Sequence, residues 1–211
     1  MKNKISEYKT LLSNKQFLES VIVAAIFLTI SLFINYYAAT YATENISSSV
    51  TDIVLSNTRV YDLNGAFVYG SLLFFFISVF ACLNKPKSIP FVVKSVSIFY
   101  VIRSVFITLT HLGPFPSQLI INSDIISKIT FGGDLFFSGH TGLPFLLALI
   151  FWKDKIIRNI FLFFSLSFAI VVLLAHLHYS IDVLSAWFIT YSIYHISLFI
   201  FHKDKLEWDL K

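Results

Sequence analysis

Six long apolar runs dominate the sequence and limit the folds that the chain can adopt. A helix needs about 20 apolar residues to cross a hydrocarbon core of about 30 Å, and these runs approach that length. Charged residues make up only 13% of the 211 residues, and the mean hydropathy is +0.76, whereas soluble domains carry roughly 25% charged residues. We therefore predict an all-α integral membrane protein with six transmembrane helices, at residues 17–37, 66–83, 91–112, 138–152, 160–177 and 183–201.

Basic residues in the short loops predict the orientation of these helices, because lysine and arginine concentrate on the cytoplasmic side. With both termini cytoplasmic, 13 of the 16 basic residues lie inside, Arg59 and Lys128 lie outside, and Arg103 falls within a span. We expect a cytoplasmic segment at residues 1–16, a six-helix membrane domain at residues 17–202 and a cytoplasmic tail at residues 203–211. The first run also resembles a signal peptide, but its length favours a retained anchor.

The net charge of +4 does not indicate a nucleic-acid partner, since the lysines occupy loops between apolar runs. Cys82 is the only cysteine, so the chain cannot form an internal disulfide. The frequent lysine, isoleucine, asparagine and phenylalanine are typical of an AT-rich bacterial genome. We therefore expect a multi-pass protein of the bacterial inner membrane, whose partners include the lipid bilayer.

Several polar side chains gather at the predicted outer ends of the helices. Each has a simple explanation alone: an interfacial histidine is ordinarily a surface residue, and Ser-Gly at a helix start is ordinarily an N-cap. An arginine within a span is costly, by about 2.5–3.5 kcal/mol on insertion scales, unless it snorkels to the headgroups. Because these polar residues lie at one depth, the outer membrane interface, we predict that they form a functional site that faces outward. The residues are Arg103, His111, Asp134, Ser138, His140, His176, His178 and Asp182.

The residue types at this level fit phosphoryl transfer. Ser138 and Gly139 open a predicted helix, whose free amides and positive dipole end bind anions, and Arg103 could add a bidentate phosphate contact. Asp182 could hold one imidazole nitrogen of His178 and leave the other free to attack, while His140 moves a proton. A zinc site is the chemical alternative, although the chain has no helical His-x-x-x-His pair.

Two motifs, SGHT at 138–141 and HYSID at 178–182, resemble the signatures of sphingomyelin synthases, a branch of the type 2 phosphatidic acid phosphatase superfamily. GGDLFFSGHT is similar to the family's C-G-D-x-x-x-S-G-H-T, with Gly132 replacing the cysteine. AHLHYSIDV is similar to A-H-x-H-Y-[TS]-x-D-V, and Tyr100 with Arg103 is similar to a Tyr-x-x-Arg segment. The family's proline-rich signature before the second span is absent, which leaves the headgroup and the acceptor open.

The resemblance implies a role for each matched residue. His178 would be the nucleophile on phosphorus, Asp182 would orient it, and His140 would be the general acid and base for the lipid hydroxyls. The family reaction moves a phosphocholine-type headgroup from a glycerophospholipid donor to a lipid alcohol acceptor such as ceramide, with no metal or other cofactor. Candidates for substrate contact are Asp134, Tyr100, Tyr179 and His176.

Two other functions are also compatible with the sequence. The same histidines could pass the phosphoryl group to water, which would make the protein a lipid phosphate phosphatase or a phospholipase C-type hydrolase. A non-catalytic transporter or scaffold is the alternative from another class. A transporter would place its charged groups near the bilayer midplane, whereas here they gather at one interface. The sequence does not indicate an oligomeric state.

Overall fold

The computed structural model describes residues 2–119 and 134–209, and every regular element within these ranges is helical. The predicted all-α class is therefore confirmed, with no strand among the described residues. A 3-10 turn at Pro86–Ser88 leads directly into α5. The α-helices are α1 (Lys2–Leu12), α2 (Lys15–Glu44), α3 (Ile53–Ser56), α4 (Asn64–Asn84), α5 (Ile89–Thr110), α6 (Gly139–Ile150), α7 (Lys155–Leu174), α8 (Ser180–Ile200) and α9 (His202–Asp209).

Five of the six predicted spans form helices that are long and apolar enough to cross a membrane. They are α2, α4, α5, α7 and α8. The observed bounds differ from the predicted ones by a few residues, except that α2 continues seven residues beyond its predicted end, to Glu44. The chain therefore has the composition and helix lengths of a multi-pass membrane protein.

The fourth predicted span differs from the expectation. Residues 138–152 form a helix, α6, of only 12 residues, which at 1.5 Å per residue is about 18 Å long and shorter than a hydrocarbon core of about 30 Å. Ser138 caps the beginning of α6. A tight turn at residues 151–153 ends the helix, and Asp154, directly after this turn, caps α7. The count of six spans and the side on which the termini lie stay predictions.

The packing brings α6 into the centre of the bundle. It lies mainly against α7 and α8, while α2 packs along α5. Gly142 permits the close approach of α6, since a Cβ there would lie 2.8 Å from Thr190 Oγ1 and 2.9 Å from the Phe99 ring. Both of these distances are below ordinary van der Waals contact, so a larger residue would push α6 away from its neighbours.

The polar helices α1 and α9 do not appear among the predicted spans, because hydropathy detects only apolar runs. The α9 helix is attached by ion pairs at the end of the bundle opposite the two motifs SGHT and HYSID. Lys94, which is 7% exposed, contacts Asp204 at 2.7 Å, and Lys153 contacts Asp209 at 3.0 Å. The C-terminal segment is thus joined to the membrane helices through charged groups.

At the other end, which we call the site end, the loops 45–63 and 111–119 lie together over the α7–α8 turn. The Ser47 amide donates to the His111 carbonyl at 2.8 Å, and the Tyr61 amide donates to the Leu174 carbonyl at 2.9 Å. Gly113 is required there, since a Cβ would lie 2.3 Å from the Ser47 carbonyl oxygen. The two loops therefore hold the turn that carries the predicted nucleophile.

Candidate active site

His178 and Asp182 form a buried pair at the beginning of α8. The His178 Nδ1 lies 3.4 Å from Asp182 Oδ2, a long hydrogen bond, and the same carboxylate oxygen accepts the Tyr179 amide at 2.9 Å. Asp182 is fully buried and His178 is 8% exposed. The contact with Asp182 occupies Nδ1, so Nε2 is the nitrogen of His178 that remains for chemistry. The roles of nucleophile and orienting carboxylate stay predictions.

Ser138 joins the two histidine motifs through the backbone. Its amide donates to the Asp182 carbonyl at 3.1 Å, and its hydroxyl oxygen accepts the Thr141 amide at 3.4 Å as the N-cap of α6. The beginning of α6 therefore lies beside the beginning of α8. The first amides of a helix have no partner within it, so Gly139 and the residues after it place a positive helix end at the site.

Arg103 projects from α5 onto the segment that precedes α6. Its Nε donates to the Phe137 carbonyl at 2.9 Å, and one Nη donates to the Asp134 carbonyl at 2.6 Å and to the Asp134 carboxylate at 3.3 Å. A Cβ at Gly139 would lie 3.3 Å from Arg103 Nε, so the glycine admits the guanidinium. In this structure Arg103 binds protein oxygens, and its contact with a phosphate stays a prediction.

Replacing Arg103 with lysine is expected to destabilise the protein by about 1–3 kcal/mol. A single ammonium cannot reach both carbonyls that the guanidinium binds, and each buried acceptor left without a partner costs about that much. Thermal unfolding in detergent micelles would measure the effect. Arg59→Lys is the control, since Arg59 is an exposed arginine in a loop of the site end. Equal stability of the two variants would contradict this reading of the Arg103 contacts.

His140 lies on the first turn of α6, between aromatic rings. Its ring centroid is 4.3 Å from that of Phe67 and 5.6 Å from that of Phe168. His178 and Arg103 are both close enough to act electrostatically on His140, and both also act on Asp134. The structure thus brings together one half-buried imidazole, the His178–Asp182 pair, a guanidinium and a helix N-terminus.

The other predicted contact residues are placed differently. Tyr100 lies one turn before Arg103 on α5 and within its electrostatic influence. The Tyr179 hydroxyl donates to the Gly113 carbonyl at 2.8 Å and accepts the Val50 amide at 3.2 Å, so this side chain fastens the site-end loops. Its role as a substrate contact stays a prediction.

His176 lies in the loop packing and not beside His178. It is 2% exposed, its Nδ1 lies 2.8 Å from Ser117 Oγ, and its ring stands edge-on to Phe115 at 5.4 Å. Its backbone has a φ of 54°, a left-handed conformation that is uncommon for a residue with a Cβ. Burial lowers the pKa of His176, which favours a neutral imidazole. A role in substrate contact stays a prediction here too.

Sequence reasoning did not single out Asp52. The carboxylate caps α3 and also accepts hydrogen bonds from Ser180 on α8. An aspartate directly before the three apolar residues at 53–55 is an N-cap signal, and this signal could have identified the helix. The contact with Ser180 depends on the path of the loop, which the sequence pattern does not give.

The described residues contain no group of three or more His, Cys, Asp or Glu side chains that could hold a metal ion. Gly132 and Gly133 of the GGDLFFSGHT motif lie outside the described residues. The donor set within the described ranges is thus two imidazoles, carboxylates, a guanidinium and helix amides, which can bind a phosphate and move protons.

Comparison with known proteins gives one match. A family model described as PAP2 superfamily C-terminal matches residues 132–199, about a third of the chain. The matched segment contains α6, α7 and nearly all of α8, and with them both histidine motifs. No curated protein and no solved structure matches the chain significantly. The match supports the type 2 phosphatidic acid phosphatase superfamily for the segment that carries the candidate active site.

Proposed function

We propose that this protein is a membrane phospholipid headgroup transferase that acts through a phosphohistidine. The superfamily suggests lipid phosphatase or phosphotransferase-type activity, and transfer is the finer proposal. The observation that supports it best is a pair of contacts at Asp182. The His178 ring contacts the Asp182 carboxylate, and the Ser138 amide donates to the Asp182 carbonyl. The proposed nucleophile is therefore beside a helix end whose amides suit a phosphate.

In the first half of the reaction, His178 Nε2 attacks the phosphorus of a glycerophospholipid. The new N–P bond forms as the bond from phosphorus to the glycerol oxygen breaks, and protonated His140 gives its proton to that oxygen, which releases diacylglycerol. Asp182 stabilises the positive charge that develops on the His178 ring. The α6 amides and Arg103 stabilise the negative charge on the phosphoryl oxygens.

In the second half, a lipid alcohol such as ceramide enters. His140, now neutral, takes the hydroxyl proton as the alcohol oxygen attacks phosphorus, and the N–P bond breaks with its electron pair returning to His178. The headgroup, of the phosphocholine type, is then bound to the acceptor, and both histidines regain their initial protonation states. The resemblance of SGHT at 138–141 and HYSID at 178–182 to the synthase branch supports a lipid hydroxyl as acceptor.

Product analysis is expected to identify the acceptor. Purified protein in vesicles receives phosphatidylcholine labelled in the headgroup, with and without ceramide or diacylglycerol, and the labelled products are separated by chromatography. Transfer predicts a new labelled lipid that appears only with the alcohol acceptor. Release of free phosphocholine in the presence and absence of acceptor would instead identify a hydrolase and contradict the transferase proposal.

The same assay tests the proposed absence of a metal from the mechanism. Activity is expected to be unchanged by EDTA, because the proposed steps use only side chains and backbone amides of this chain. Loss of activity with EDTA and its return with zinc would overturn the phosphohistidine mechanism in favour of metal-assisted hydrolysis.

A further inference from the structure

Asp52 joins two helix N-termini through one buried carboxylate. It is 7% exposed. Its Oδ1 accepts the amides of Val54 at 2.8 Å and Leu55 at 3.1 Å, and so caps α3. Its Oδ2 accepts the Ser180 amide at 2.7 Å and the Ser180 hydroxyl at 2.8 Å. Both oxygens are therefore engaged, one on a loop helix and one on the first residue of α8.

The carboxylate is held in its ionised form. Burial alone would raise the pKa of Asp52, but the hydrogen bonds from Ser180, Leu55 and Val54 together hold it below the usual value for an aspartate. The positive N-terminal end of α8 favours the same charge. Asp52 is thus a fixed negative charge at neutral pH, and its bonds to Ser180 have the strength of charge-assisted hydrogen bonds.

The position of Ser180 connects this carboxylate to the candidate active site. Ser180 follows His178 by two residues and precedes Asp182 by two, in the turn that leads into α8. Asp182 binds this turn from within, through the Tyr179 amide, and Asp52 binds it from the neighbouring loop. The carboxylate of Asp52 therefore fixes the turn in which the His178 imidazole meets Asp182.

A second set of contacts keeps Asp52 itself in place. Leu55, which is 1% exposed, packs in a cluster with Leu135 and Tyr179. The Val50 amide donates to the Tyr179 hydroxyl. The segment 50–56 is thus held on both sides of Asp52 against the residue that follows His178. Because the backbone of segment 50–56 is held in place, the Asp52 carboxylate can keep the turn in one position.

We infer that Asp52 is a positioning residue for the reaction: its carboxylate, by binding the Ser180 amide and hydroxyl, holds the α8 turn so that the His178 imidazole stays aligned on Asp182. This inference rests on the proposed function for its kinetic test. It assigns Asp52 no contact with the substrate.

Asp52→Asn is expected to lower kcat about tenfold and Asp52→Ala about 100-fold, with KM unchanged within about twofold. Asparagine keeps one acceptor oxygen, whereas alanine keeps none, and a misplacement of about 1 Å at a reacting group is enough for a loss of this order. Glu44→Gln is the matched control, since Glu44 is an exposed carboxylate at the end of α2 that leads into the same loop. It should retain wild-type kcat.

A purely structural role would give a different result. Asp52 would then affect the fraction of folded protein in detergent, while kcat per folded molecule would equal that of the wild type, and this outcome would overturn the inference. Ser180→Ala provides a milder variant, since it removes only the hydroxyl bond. In a double-mutant cycle, Asp52→Asn and Ser180→Ala should be non-additive in kcat, whereas additive losses would count against the pairing.

A readout without catalysis separates this inference from the proposed function. The rate at which diethylpyrocarbonate modifies the His178 ring, mapped by peptide mass spectrometry, is expected to rise about tenfold in Asp52→Asn relative to the exposed His202. An unchanged ratio would overturn the inference even if the protein transfers headgroups. A raised ratio in a protein whose wild type neither transfers nor hydrolyses phospholipids would show that Asp52 holds the His178 turn and would reject the proposed function.

Discussion

Headgroup transfer is expected to fall by at least about 10³-fold when His178 is replaced with alanine, because the proposed reaction has no other nucleophile. The fold should persist. Within the described ranges, the hydrogen bond of the His178 side chain is a long one, at 3.4 Å to Asp182, and the same carboxylate keeps its bond from the Tyr179 amide. Initial rates with labelled phosphatidylcholine and ceramide, normalised to folded protein, would measure the loss.

The control for this substitution is His195→Ala. His195 lies on the same helix, α8, is exposed, and has its ring 4.5 and 5.4 Å from the rings of Tyr191 and Tyr194. It should retain wild-type activity. A second measurement is quenching in alkaline detergent after brief mixing with donor labelled at phosphorus, which should leave a base-stable, acid-labile label on the peptide that contains His178. Full activity of His178→Ala, or a label mapped to another residue, would reject the phosphohistidine proposal.

The apolar runs predict much of the fold because a hydrocarbon core requires long stretches without charge. This requirement explains why five spans were recognised and why α1 and α9, which are polar, were not. The short length of α6, compared with the predicted span at 138–152, has a local cause. Apolar residues continue to Trp152, but the chain turns at residues 151–153, and Asp154 accepts the amides of Ile156 and Ile157 to begin α7. Hydropathy does not distinguish an apolar turn from an apolar helix.

The candidate site could be predicted where it depends on spacing within one element. His178 and Asp182 are four residues apart across the start of a helix, so their contact follows from local geometry. The partners of Arg103 do not follow from spacing, since they are backbone carbonyls of the segment before α6. The contact of Asp52 with Ser180 could not be predicted for the same reason, since it joins residues 128 positions apart. Contacts between loops require the tertiary structure.

His140→Ala is expected to reduce transfer from phosphatidylcholine by about 10²–10⁴-fold, the usual contribution of a general acid or base. Its placement between Phe67 and Phe168, within the electrostatic influence of His178, suits proton transfer at the oxygen that leaves or attacks. The loss should depend on the leaving group. With p-nitrophenyl phosphocholine, whose leaving group departs as a stable anion, the first step needs no proton, and the rate of p-nitrophenolate release in the first turnover should stay within about tenfold of wild type.

The two histidines are therefore expected to respond differently to the same pair of donors. His178→Ala should lose p-nitrophenolate release as fully as it loses transfer from phosphatidylcholine, because both donors need the nucleophile. His140→Ala should accumulate the labelled phosphohistidine when the activated donor is used, since the next step still requires a base for the acceptor hydroxyl. An equal loss on both donors in His140→Ala would show that this residue does not protonate the leaving group, and would assign the acid to another side chain.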